Sequence, residues 1–191
     1  MKNMREALGR VSKVKATMLK AHLDWAEKQF GDLSRLSPHV DAECADLLRG
    51  TLSTAWVSFS SLIQIDRAIA AVAGGPPEKT FRELGRYSAR TNLGGVYKGF
   101  IRAEPHRFFA QMSVLHKQFQ DFGQSRYEGG DASAGRIILE GYKEYSPVYC
   151  ASAAGYFEEA LRMMHAPGPI VVEETSCQCG GDPQCVFKMT W

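Results

Sequence analysis

Apolar residues recur at helical spacing over the first two-thirds of the chain and alternate in strand-like fashion over the last third. From Thr17, the residues Met18, Leu19, Leu23, Trp25, Ala26 and Phe30 mark one helix face, and Gly31 offers a C-cap. Pro38 is placed to open a second short helix carrying Val40, Leu47 and Leu48 and ending at Gly50. A third starts near Thr54 and shows Trp56, Phe59, Leu62, Ile63, Ile65, Ile69 and Val72. The run Gly74-Gly75-Pro76-Pro77 stops it. Helical spacing resumes from Glu78 to Arg90 and, after Gly94-Gly95, from Val96 to Arg102. Pro105 restarts it, and Phe108, Phe109, Met112, Leu115, Phe119 and Phe122 form an aromatic face closed by Gly123, a stripe expected to be core.

After Gly123 the pattern changes. Gln124–Glu128 and Ala134–Tyr142 predict two strands around a Gly-Gly-Asp turn. A last helix opens at Ser146-Pro147, a capping residue followed by proline at the first helical position, and runs to about Met164. Two further strands, Ile170–Ser176 and Val186–Trp191, flank the loop from Cys177 to Cys185. Helices first and strands late predict an α+β fold: an N-terminal helical bundle packed on a C-terminal four-stranded antiparallel sheet, with one intervening helix. Residues 17–191 read as a single domain, and 1–16 as a lead-in or arm. In that arm Lys2, Arg5, Arg10, Lys13 and Lys15 surround Met4, Leu8, Val11 and Val14, the pattern of a basic amphipathic helix or of a solvated lead-in.

Composition removes some classes of function. With 45% hydrophobic and 23% charged residues the chain is globular rather than disordered. A net charge of +2 is too small to draw a polyanion, so nucleic acid is not expected as a partner. The most apolar stretch, Trp56 to Ala73, is interrupted by Gln64, Asp66 and Arg67, so no membrane span is expected. The opening MKNMREALGRVSKVK lacks the apolar block of a secretion signal, and a cytoplasmic setting is expected. Five cysteines, three of them crowded near the C-terminal end, then suggest metal binding or packing before disulfides.

The densest chemistry lies in Glu173-Glu174-Thr175-Ser176-Cys177-Gln178-Cys179-Gly180-Gly181-Asp182-Pro183-Gln184-Cys185. The Gly-Gly-Asp-Pro run forces a reversal that brings Cys177 and Cys185 together at a hairpin mouth. Thiolates there, with a carboxylate just upstream, suit a tetrahedral zinc site. Cys179 could replace either neighbour, and Cys150 could reach the site through space. The alternative from spacing is a set of small, inert, buried thiols.

Tyr149-Cys150, Gly155-Tyr156, Cys177, Gly181-Asp182 and Cys185-x-Phe187 resemble the C-terminal signature of 4-vinyl-reductase-type domains. Their superfamily includes the heme-nitric-oxide-binding fold and the Bet-type subunits of vesicle-tethering complexes. From about Ala16 onward the chain is also similar to an uncharacterised myxobacterial paralogous family, through Met18-Leu19-Lys20, Leu23-Asp24-Trp25, Trp56, Gly85-Arg86, Ser88-Ala89, Asn92-Leu93 and Val96-Tyr97. In phenol-responsive activators with this domain, a structural zinc is held by Cys, Glu, Cys and Cys. The resemblance carries that set onto Cys150, Glu174, Cys177 and Cys185. It also implies a pocket for a small apolar or aromatic molecule or a lipid chain, with Trp56, Phe59, Phe100, Phe109, Tyr142, Tyr149 and Tyr156 as candidate walls and His116 as a candidate polar group.

The expected function is a non-enzymatic sensing or protein-interaction module, a homodimer whose output passes through a partner signalling protein. An enzyme of unknown reaction using the same pocket is the alternative. Gly94-Gly95 and Gly129-Gly130 lack the phosphate-loop spacing, and no G-x-S-x-G elbow occurs. Heme is not expected either, because Tyr87-Ser88-Ala89-Arg90 departs in spacing and position from the heme-propionate string Tyr-x-Ser-x-Arg.

Overall fold

The computed structural model describes residues 11–95, 97–102, 104–142, 144 and 146–191. Helix α1 (Ala16–Phe30) buries Leu19, Leu23 and Ala26, and Gly31, at φ 76°, ends it by turning its N–H back to the Glu27 carbonyl. A 3₁₀ segment (Leu33–His39) leads to α2 (Ala42–Arg49), whose first turn is capped by the Asp41 carboxylate accepting the Cys44 N–H at 2.9 Å. Pro38 therefore does not open that helix; it lies inside the 3₁₀ turn. Strand β2 (Trp56–Ser58) pairs with β1 (Lys13–Lys15), and α3 begins only at Phe59, running to Ala73 with Ser58 as its cap. The helix predicted from Thr54 thus starts a turn late.

The expected N-terminal arm also changes character. Its first ten residues lie outside the described residues, but Lys13–Lys15 is strand, not helix, and Val14 is fully buried. Those three residues belong to the folded body.

Helix α4 (Pro77–Gly94) and α6 (Pro147–Met163) cross at very short range. A β-carbon at Gly85 would overlap the Ser152 carbonyl, and one at Gly155 would overlap the Arg82 carbonyl. Two glycines facing each other's helix let backbone approach backbone, so these positions are fixed by space and not by turn geometry. Above the crossing, buried Glu158 accepts from Arg86 at 2.8 Å and from Arg162, while Arg82 lies 3.8 Å away. Burial opposes ionisation of Glu158, yet the Arg86 and Arg162 guanidiniums hold its carboxyl below the usual glutamate range.

Between them, α5 (Pro105–Phe119) precedes the hairpin β3 (Gln124–Gly129) and β4 (Ala134–Glu140). After α6, β5 (Val171–Ser176) and β6 (Cys185–Thr190) complete an antiparallel sheet of order β3-β4-β6-β5. The expected α+β architecture is present, with α6 crossing between the hairpins. Among the described residues of the region predicted as helix over 96–102, the structure has a 3₁₀ turn at Phe100–Arg102. One face of the sheet contributes Ile137, Leu139, Val172, Phe187 and Met189 to a core shared with α5 and α6. A second core joins α1, α3 and part of α4. No helix among the described residues is long and apolar enough to cross a membrane.

Adding one methyl at Gly155 forces α4 and α6 apart. Gly155→Ala is expected to cost about 1–3 kcal/mol through overpacking, read as a lower urea midpoint at unchanged slope. An unchanged midpoint would show that the crossing relaxes freely.

Candidate functional site

Two adjacent features meet on α6: a four-residue donor cluster at its first turn and a cavity along its length.

Cys150, Glu174, Cys177 and Cys185 each place one ligand atom so that all four lie within 4.8 Å of one another. Local structure explains how. In a regular strand, residues three apart point to opposite faces. The β5–β6 register shifts between Glu174 and Ser176, and this irregularity turns Glu174 and Cys177 toward the same place. Beyond Cys177 a 3₁₀ turn and Gly181, at φ 98°, reverse the chain. Asp182 ties the loop, accepting the Cys177 N–H at 2.8 Å and returning its own N–H to the Cys177 carbonyl at 3.2 Å. Cys185 then starts β6, opposite Leu139 on β4, and meets Cys150 with the two sulfurs 3.7 Å apart. Ser146 precedes Pro147 as expected, but its hydroxyl makes no cap bond; it is buried without a hydrogen-bond partner among the described residues.

The cluster's electrostatics are uneven. Hydrogen bonding from Cys150 brings the Cys185 thiol down to about 7, helped by the Gln178 N–H, which donates to the Cys185 sulfur at 3.3 Å. The same contact with Cys185, together with burial, pushes Cys150 far up. Burial pushes Cys177 up to about 12. Glu174 Oε1 is buried without a hydrogen-bond partner among the described residues. An unmatched carboxylate oxygen beside one readily formed thiolate makes a negative centre that a cation would complete. A tetrahedral zinc with Zn–S bonds of about 2.3 Å has ligand–ligand edges of roughly 3.8 Å, which is the spacing of Cys150 and Cys185. Cys179 is exposed and outside the group.

The cavity, about 130 Å³ and partly open, is bounded by α1, α4, α5, β3, β4 and α6. Its apolar walls include Leu93, Met112, Phe119, Ile137 and Leu139, and Gly85 and Ser152 from the helix crossing bound it too. Of the seven aromatic residues expected there, Phe100, Tyr149 and Tyr156 line it. Phe109 is fully buried core, and Phe59 packs on Phe122 and Tyr149. Tyr142 lies behind the wall, stacked on His116, and Trp56 is 39% exposed under the Lys15 ammonium. Trp56, Phe59, Phe109 and Tyr142 are therefore not wall residues.

His116 does line the cavity; its Nε2–H donates to the Phe122 carbonyl at 3.3 Å, and burial lowers its pKa, keeping the ring neutral. Two polar features were missed from sequence. Gln120 bridges Tyr149, to which its amide donates, and Tyr142, whose hydroxyl donates to Gln120 Oε1 at 3.0 Å. His22 lines the cavity from α1 with Nδ1 2.7 Å from Asp66 on α3. The available signal was Asp66 itself, a carboxylate inside a helix apolar almost all round.

No protein-family model and no curated protein matches the chain. Solved structures do. An unliganded Fe(II) H-NOX protein from K. algicida superposes with TM-score 0.69 at 13% identity, covering 92% of this chain and 95% of that one. An H-NOX protein from S. oneidensis in its Fe(II)NO state gives 0.68 at 15%, covering 92% and 97%. An oxygen-binding H-NOX domain related to soluble guanylate cyclases gives 0.66 at 14%, covering 92% and 94%. The chain has the H-NOX fold.

This overturns one expectation. Heme was set aside on the spacing around Tyr87, yet heme proteins are built on this fold: a further structural neighbour is one whose heme redox potential is modulated through protein-induced porphyrin distortion. Tyr87 itself sits on α4 bonded to Asp24, so its string never bore on a site near the sheet.

Removing the Gln120 bridge takes one hydrogen-bond partner from each of two buried tyrosine hydroxyls. Gln120→Leu is expected to lose about 1–3 kcal/mol in chemical denaturation, and adding Tyr142→Phe and Tyr149→Phe should recover part of it. If the triple variant is no better than the single, the bridge is not what stabilises this wall.

Proposed function

We propose that this chain is a 4-vinyl-reductase-type sensing module on the H-NOX fold, which binds a small apolar or aromatic molecule between helices and sheet without catalysing a reaction. The cavity carries the reading. Its size is close to that of an apolar protein cavity of about 150 Å³ that holds benzene, and below the range of about 300–1,000 Å³ typical of drug-sized ligands. Its walls are mostly apolar with a few placed polar groups, as such sites require. A homodimer, and a partner protein that receives the signal, rest on the 4-vinyl-reductase resemblance.

The donor cluster is proposed as a structural zinc site held by Cys150, Glu174, Cys177 and Cys185. Four protein ligands leave no open position for water, so the ion would pin α6 to the β5–β6 hairpin and take no part in chemistry. A second reading, heme-linked sensing, is favoured by two imidazoles on the cavity wall, His22 and His116, either of which is a competent axial ligand type. A porphyrin would need a wider cavity than this one, so side chains would have to move to admit it.

Native mass spectrometry of protein purified without chelator is expected to show a small adduct lost on denaturation, and added benzene to raise the melting temperature by mass action. A protein showing neither has no sensing cavity of this kind. Hemin titration separates the second reading, which requires a saturable Soret band at one equivalent.

Elemental analysis should find one zinc per chain, lost in Cys185→Ser and retained in Cys179→Ser. Because Cys150 and Cys177 are protonated in the metal-free cluster, ligation must release their protons. Zinc affinity should therefore rise with pH, by about tenfold per pH unit for each proton released, measured by calorimetry in buffers of different ionisation enthalpy. A pH-independent affinity excludes these thiols as ligands.

A further inference from the structure

We infer that the outer face of the β1–β2 ribbon is a docking surface for a bilayer of anionic phospholipid, with Trp56 and Leu52 entering the headgroup region and Lys13 and Lys15 holding the negative surface. The inference draws on neither the cavity nor the donor cluster.

The ribbon has one buried and one open face. Val14 and Val57, paired across it, belong to the core around α1 and α3. Side chains alternate along a strand, so their neighbours Lys13, Lys15, Trp56 and Ser58 lie on the other face. Leu52 opens the turn that feeds β2, its carbonyl accepting the Ala55 N–H at 2.9 Å, and its side chain is 77% exposed. With Val11, which precedes β1, three of the five large apolar side chains exposed among the described residues sit on this ribbon and its turn.

Trp56 is held at the surface. The Lys15 ammonium lies 4.2 Å from its ring centroid and donates to the Thr54 carbonyl at 3.1 Å, so cation and indole are presented together. Neither Lys13 nor Lys15 is in an ion pair among the described residues. Asp121, the acid at this ribbon, accepts the Lys13 backbone N–H at 2.8 Å. The sequence just before the ribbon keeps the same sign, with Lys2, Arg5 and Arg10 against Glu6 alone.

Apolar side chains flanked by unpaired lysines are complementary to an anionic bilayer. An indole has an apolar body and a polar N–H, which suits the headgroup level. Lysine lays its stem along the apolar layer and keeps its ammonium among the phosphates. A protein partner asks for more, roughly 800 Å² from each side in a standard interface, and two strands of three residues present much less.

Co-sedimentation of the full chain with vesicles tests this. Phosphatidylcholine vesicles carrying about one-third phosphatidylserine are expected to bind it, less so as salt rises, and pure phosphatidylcholine vesicles to leave it in solution. Lys13→Gln and Lys15→Gln should each lower the partition coefficient about fivefold, the worth of one basic side chain near such a surface. Trp56→Ala should lower it about tenfold through lost apolar burial, with the urea midpoint checking that each variant is folded. On the unmodified protein, brominated acyl chains should quench tryptophan fluorescence, and Trp56→Phe should remove that quenching while Trp25 and Trp191 remain. Equal binding to both vesicle types, binding to neither, or binding indifferent to Trp56→Ala and to the lysine variants overturns the inference. If soluble polyglutamate binds with the same lysine dependence and the vesicles do not, the ribbon docks an acidic protein and the bilayer is excluded.

Discussion

The backbone-to-backbone crossing of α4 and α6 is the constraint on which the rest of the molecule depends. Gly85 and Gly155 remove the β-carbons that would hold the helices apart, and the Glu158 carboxylate, gripped by Arg86 and Arg162, fastens them. Because the crossing sets where α6 runs, it sets both sites that α6 serves. Cys150 on the first turn reaches the β5–β6 hairpin, and Tyr149, Ser152 and Tyr156 form one wall of the cavity. Gly85 and Ser152 are parts of the crossing and of the cavity boundary at once. Moving α6 by the width of a methyl group would disturb both.

The two sites are also joined through side chains. Tyr149 and Cys150 are neighbours in sequence but point to different tasks, one to the cavity and one to the sulfur cluster. Gln120 links Tyr149 to Tyr142, whose hydroxyl is driven well above the usual tyrosine range by burial first and by the nearby tyrosine and cysteines after it. Tyr149 and Tyr142 therefore lie within electrostatic reach of Cys150 and Cys185. An ion pinning Cys150 to Cys185 would stiffen the same helix from its other side.

Much of this was legible in the chain. The four strands of the main sheet and the Gly181 reversal follow from alternation and turn residues, and the grouping of Cys150, Glu174, Cys177 and Cys185 was expected from a resemblance to 4-vinyl-reductase-type domains. What escaped was set by tertiary context. β1 and β2 are three residues each, too short for a period of two to be read, and Trp56 looked helical because it precedes a helical run. The pocket aromatics were chosen by residue type, and type does not say which side of a wall a ring occupies; Phe109 and Phe59 are core on the same criteria that place Phe100 in the cavity. His22 was invisible because its partner, Asp66, is 44 positions away.

Heme shows how an absent string can mislead. A Tyr-x-Ser-x-Arg motif describes how one set of proteins grips propionates, so its absence bears on that grip and not on the fold. The H-NOX architecture is reached here at 13–15% identity by a sequence without the string. What bears on the ligand is the space and the groups around it. The cavity measures about 130 Å³ with mostly apolar walls, and His116, whose pKa burial lowers, and the Asp66-held His22 both line it. In a cavity of that kind the polar groups on the wall bear most on selectivity, since apolar walls alone separate close analogues by only about 1–3 kcal/mol per methylene.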